Sequence, residues 1–176
     1  DWGLFSQLRG ASADEAGFCS VSNFILDNVL IEKETGASYS GSGINLGTVA
    51  GEAYKYSEIS NIIVKNAKIT DNDETYTTSG IEYRVGGMVG NINNNDVYRI
   101  FNLSTDADIQ ILKNVNTNKA KAYVGGAFGR FNLVSSYNHA YRIYPTNIYV
   151  HGPIIANSGR YVYRGSIASG ITSQPS

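Results

Sequence analysis

Short runs in which apolar residues take alternate places recur along the chain, each opened by asparagine or aspartate and then broken by asparagine or glycine. The first is Asn23-Phe24-Ile25-Leu26-Asp27-Asn28-Val29-Leu30-Ile31, and the second is Asn61-Ile62-Ile63-Val64-Lys65-Asn66-Ala67-Lys68-Ile69. Residues 108–115 and 147–155 share the form. Alternation sends one set of side chains to one face of a strand. The pattern therefore predicts pairs of short β-strands, and only 11–17 could hold as much as one helical turn.

A second pattern alternates with the first. Leu46-Gly47-Thr48-Val49-Ala50-Gly51, Val85-Gly86-Gly87-Met88-Val89-Gly90 and Val124-Gly125-Gly126-Ala127-Phe128-Gly129 are three versions of one phrase, and the steps Gly47 to Gly86 and Gly86 to Gly125 are each 39 residues. Looser versions stand at the ends. Gly3-Leu4-Phe5-Ser6 matches Gly126-Ala127-Phe128-Gly129, and Gly165-Ser166-Ile167-Ala168-Ser169 lies one residue out of register. A fixed period of this size marks a repeat architecture. The units run approximately 7–45, 46–84, 85–123 and 124–164, in a single repeat domain of residues 1–172 followed by a tail at 173–176.

Each unit holds one glycine-phrased and one asparagine-broken half, joined by segments of variable length: 54–58, 91–96 and 132–140 after the phrases, and 32–42, 71–80, 116–121 and 157–160 before them. Variation confined to equivalent places is the mark of surface loops on a repeated scaffold. Two architectures carry such a pattern. The favoured one is all-β, a right-handed parallel β-helix or β-solenoid with about two coils per 39-residue unit, in which glycine serves where backbones approach closely. The alternative is a β-propeller with a blade of about 40 residues. Open ends suit the stack better than a closed ring.

Composition agrees with a β protein, with 19 glycines, 13 tyrosines and three prolines in 176 residues. Lysine and arginine number 14 against 15 acidic residues, so no basic excess points to nucleic acid. No apolar run approaches the roughly 20 residues a bilayer-spanning helix needs, and no signal-peptide pattern is present. The chain begins at Asp1, within a repeat, and reads as a processed or excised piece. Cys19 is the only cysteine, which excludes an internal disulfide and zinc held by cysteines. Beside Phe18 and Val21 it reads as a small buried apolar residue.

The inventory of catalytic residues is short. Two histidines, His139 and His151, stand in or beside tyrosine-rich runs, with no His-Glu-x-x-His pair. Glu52, Asn91 and Arg130 follow the glycine phrases where a phosphate loop needs lysine and a hydroxyl residue. No catalytic residue is assigned. Asp71, Asp73 and Glu74 form the one acidic cluster able to contribute to a hard-cation site, so calcium is the sole cofactor considered, against a solvated turn. Tyr83, Tyr123 and Tyr163 precede the phrases at 40-residue steps, while Tyr54, Tyr98 and Tyr141 follow them. Turned inward they would be core; turned outward among Arg84, Arg99, Arg142 and Arg164 they could stack on sugars or on another protein. Asn102-Leu103-Ser104 is a glycosylation sequon that matters only in a eukaryotic secretory pathway.

The glycine phrases, each with an Asn-Ile-x-Val-x-Asn type strand ahead of it, resemble the GLUG-motif repeats of large bacterial secreted and cell-surface proteins. Such repeats occur in adhesin-like proteins and in the non-catalytic region of immunoglobulin-A-cleaving metalloproteases. The resemblance implies an extracellular or cell-surface location and no activity. The chain departs from the pattern at Thr48 and at the last phrase, which ends in Ser169. The expected function is a non-enzymatic structural or binding module, an adhesin, stalk or filament subunit. Its expected partners are neighbouring domains or identical subunits on the open ends, with glycans or host surface proteins as ligands. The alternative is a polysaccharide lyase or glycosidase on a β-helix, and that alternative needs Asp71, Asp73 or Glu74 to converge with a lysine or arginine in a groove.

Overall fold

The computed structural model describes residues 1–12, 17–32, 43–71, 82–93, 98–113, 121–134, 146–158 and 161–174. These residues are nearly all strand, and every strand pairing among them is parallel. Three sheets result. The first holds β4 (Gly43–Gly47), β7 (Glu82–Gly86), β10 (Lys121–Gly125) and β14 (Tyr161–Gly165), in that order. The second runs β1 (Phe5–Leu8), β5 (Ala50–Ala53), β8 (Val89–Asn93), β11 (Phe128–Val134) and β15 (Ala168–Gln174). The third contains β2 (Cys19–Asp27), β6 (Ser57–Asp71), β9 (Tyr98–Lys113) and β12 (Thr146–His151), with β3 (Leu30–Glu32) also paired to β6 and β13 (Ile154–Ser158) to β9.

The chain visits the sheets in a fixed cycle, and strands one cycle apart become neighbours. Leu46 pairs with Val85, Val85 with Val124, and Val124 with Arg164. Those steps are 39, 39 and 40 residues, so one repeat unit makes one full circuit. The expected two coils per unit are corrected to one: two would have placed neighbours about 20 residues apart. Parallel pairing also departs from the antiparallel blade of a propeller. Both frayed phrases fall in register, since Phe5 pairs with Ala50 and Phe128 with Ala168.

Each sheet owes its place to a different local device. Between the first and second sheets stands the glycine phrase. A Cβ on Gly90 would lie 2.6 Å from the Leu46 nitrogen and 2.7 Å from the Arg84 oxygen. Backbone approaches backbone so closely there that only glycine fits. Thr48 takes the place of Gly87 and Gly126, and its hydroxyl donates to the Gly87 carbonyl at 2.6 Å.

In the third sheet the device is a left-handed asparagine. Asn23, Asn61, Asn102 and Asn147 occupy equivalent places with φ between 53° and 63°. Such a residue breaks the two-residue alternation, so the inward residues of β6 are Ile59, Ile62, Val64, Ala67 and Ile69, spaced three, two, three and two, with Asn61 and Asn66 (φ 50°) in the wider gaps. Full burial of an isoleucine is worth about 1.5–3 kcal/mol, which exceeds the 1–2 kcal/mol of a left-handed residue, a cost asparagine lowers further. The strand bends without exposing its apolar side.

The same pairing corrects one alignment. The run in the third unit was expected at 108–115, but Asn61 and Ile62 find their counterparts at Asn102 and Leu103. Asn102 therefore opens the run. The later part of β9 matches the second half of β6, with Ile109 opposite Ile69.

The buried residues form stacked apolar columns, among them Leu46, Val85 and Val124 from the first sheet, Ala50, Val89 and Phe128 from the second, and Ile62 and Leu103 from the third. Phe128 and Phe131 meet edge to face at 4.8 Å. Cys19, at the start of β2, is half-buried against this core rather than enclosed by it.

Candidate functional site

Where the first and second sheets meet, their non-core positions face one another across a concavity of about 310 Å³. Asn45 and Arg84 come from the first sheet, Glu52, Asn91 and Arg130 from the second, and Tyr54 from the turn beyond β5. Asn45, Glu52 and Asn91 are 4%, 6% and 3% exposed. Their polar ends thus replace water with one another.

The contacts run from rung to rung. The Asn45 amide donates to Asp1 at 2.7 Å, and its oxygen accepts from Arg84 at 3.1 Å. Asn91 and Asn93 both donate to Glu52 Oε1, at 2.7 and 2.9 Å. Glu82 joins the two guanidinium groups, with Oε2 lying 2.6 Å from Arg84 and 2.7 Å from Arg130. Those side chains are about one-fifth exposed, so the pairs are screened less than open surface pairs. Glu52, in contrast, is held by amides, with no ion pair among the described residues. Burial raises the Tyr54 phenol above its ordinary pKa, and a hydrogen bond to Glu52 and that carboxylate's charge add to the shift.

An aromatic step continues the concavity. Tyr123 and Tyr163 stack with centroids 4.9 Å apart and planes 9° from parallel, and Arg130 lies 5.1 Å over the Tyr123 ring. Tyr163 is 42% exposed, so its face is open to solvent.

The tyrosines expected to form one ladder are divided between two faces. The first sheet keeps a 39-residue step up to β10, so Tyr123 stands opposite Arg84 while Tyr83 stands opposite Ala122. A one-residue offset reverses the face. Tyr83 is consequently core, 1% exposed, and only Tyr123 and Tyr163 stack. Arg84 lines the concavity, and Arg164 pairs through its backbone with Val124. Tyr98 pairs through its backbone with Ser57, its side chain lying outside the described residues, as Tyr141 does entirely.

Asp71 ends β6 fully buried, whereas Asp73 and Glu74 lie outside the described residues, as does His139. Among the described residues no three histidine, cysteine or acidic side chains gather as a metal site. His151 is exposed and 3.1 Å from Asp106. Asn102 is exposed on the third sheet, where its amide nitrogen donates to Asn61 and its oxygen accepts from Asn147, each at 2.9 Å.

Sequence reasoning named Arg84 and Tyr123 but missed Asn45, Glu52, Asn91 and Arg130. The last three were seen only as poor phosphate-loop residues; the signal that could have found them was their shared place two residues into the second-sheet strands, at 39-residue steps. No family model, curated protein or solved structure matches the chain.

Proposed function

We propose that the chain is a non-enzymatic repeat module of a secreted or surface-anchored protein, a right-handed β-solenoid in which the stack provides length and the polar concavity provides binding. The observation that carries this reading is the parallel register of one repeat unit per step, 39 residues between β4, β7 and β10 and 38 to 45 in the third sheet, in which equivalent residues of successive units bond to each other. Asn23, Asn61, Asn102 and Asn147 form a continuous side-chain ladder at 2.9–3.1 Å. Arg84 and Arg130 are likewise committed to a shared carboxylate. These contacts stiffen a rod, and the resemblance of the glycine phrases to GLUG repeats agrees with an extracellular setting.

The edge at β1, β2 and β3 adds an assembly role. There a cavity of about 420 Å³ is lined by Trp2, Leu4, Leu26, Val29, Leu30 and Ile31, and Leu30 is 62% exposed. Another coil of the same kind, from adjoining sequence or an identical subunit, would cover it and continue the parallel pairing. Sedimentation across a concentration series, with negative-stain imaging, tests the subunit case: end-to-end association that Leu30→Asp abolishes is expected. A chain that stays monomeric at every concentration contradicts self-assembly, and catalytic turnover of a polysaccharide contradicts the non-enzymatic reading.

A further inference from the structure

We infer that the concavity between the first and second sheets is a binding site for a neutral saccharide, lying across successive rungs with one ring against the Tyr163 face. The inference rests on the reading of the chain as a binding module and names the chemistry of its ligand.

The polar groups select the class. Asn91, 3% exposed, donates to Glu52, while its Oδ1 finds no hydrogen-bond partner among the described residues. The Nε atoms of Arg84 and Arg130 also lack partners, although their terminal nitrogens are engaged. Residues that carry one unmet acceptor and two unmet donors therefore line the same space, and buried groups of either kind are costly to leave so. A hydroxyl both donates and accepts. Neighbouring hydroxyls on a sugar ring can donate hydrogen bonds to Asn91 and Glu52 and accept them from the arginines.

Charge excludes the neighbouring classes. An anionic ligand would meet the Glu52 and Asp1 carboxylates, and the two guanidinium groups already share the Glu82 carboxylate. A cation would meet the two guanidinium groups. The lining offers no apolar pocket for the side chains of a peptide. The Tyr163 face supplies the flat apolar surface on which the C–H side of a sugar ring stacks, and the stacked Tyr123 holds that face in place.

The test uses the whole chain and a panel of glucose, mannose and galactose hexasaccharides beside hexagalacturonate, with calorimetry for affinity and chromatography for the sugar after a day. At least one neutral hexasaccharide is expected to bind, with the Kd weakened about tenfold by Glu52→Gln and by Tyr163→Ala. Tyr163 is exposed, so its variant tests the site without opening the core, and circular dichroism verifies the fold of both. The proposal is overturned if no neutral hexasaccharide shows saturable binding, if both folded variants bind like the wild type, or if hexagalacturonate binds more tightly than every neutral sugar. Binding with cleavage would uphold the saccharide and overturn the non-enzymatic reading, so the two failures are distinguishable.

Discussion

Thr105 shows how a single polar atom can tax a repeated core. It occupies the place of Val64 in the third sheet, is 1% exposed, and its hydroxyl has no hydrogen-bond partner among the described residues. Replacing it with valine removes an unsatisfied group while nearly preserving shape. Thr105→Val is expected to stabilise the chain by about 1 kcal/mol, measured by urea unfolding. Tyr54 carries a pH dependence. Its folded pKa is raised above the ordinary value by burial and by Glu52, so stability is fully present below pH ~10 and is lost as pH rises through the folded value. Melting curves between pH 8 and 11.5 should show that loss, and Tyr54→Phe should reduce it.

The element that turns the chain is the left-handed asparagine of the third sheet. Asn102 combines a φ of 55° with two ladder hydrogen bonds, so substitution separates backbone from side chain. Asn102→Ala, which loses both, should cost about 2–3 kcal/mol. Asn102→Gly keeps the backbone conformation and should cost about 1 kcal/mol less, by chemical denaturation. The ladder also bears on the sequon, since a glycan on Asn102 would replace one amide hydrogen of a group bonded on both sides. Asparagine was legible in the sequence as a breaker of strands, and glycine as a place of close approach. The exact partner was not, because Asn102 directly follows Phe101 where Asn61 follows Ser60, and the run beginning at Asp108 offered a plausible second choice. The same one-residue ambiguity misplaced Tyr83: the 40-residue spacing of tyrosines is regular in sequence, while the register between β7 and β10 is 39.

At the scale of the whole molecule, the repeat was legible and the number of coils per repeat was not. Each unit shows two apolar halves, which suggests two turns of a narrow coil, whereas the chain spreads those halves over three sheets and closes one wider circuit. That width creates the reentrant corner between the first and second sheets, so the polar concavity depends on contacts no linear pattern displays. The register itself is the claim on which the rest depends. In a chain with Cys19→Ser, Ile25→Cys and Ile63→Cys would place thiols on paired, solvent-exposed positions of β2 and β6. Neighbouring strands lie about 4.8 Å apart, within the reach of a disulfide, whereas a partner shifted two residues along the strand lies beyond it. Mild oxidation should close an intramolecular bridge in Ile25→Cys/Ile63→Cys and leave Ile25→Cys/Lys65→Cys largely reduced; a failure of the first pair to close, or equal closure of both, would contradict the circuit of one repeat unit, 38 residues at this rung, that sets β2 beside β6.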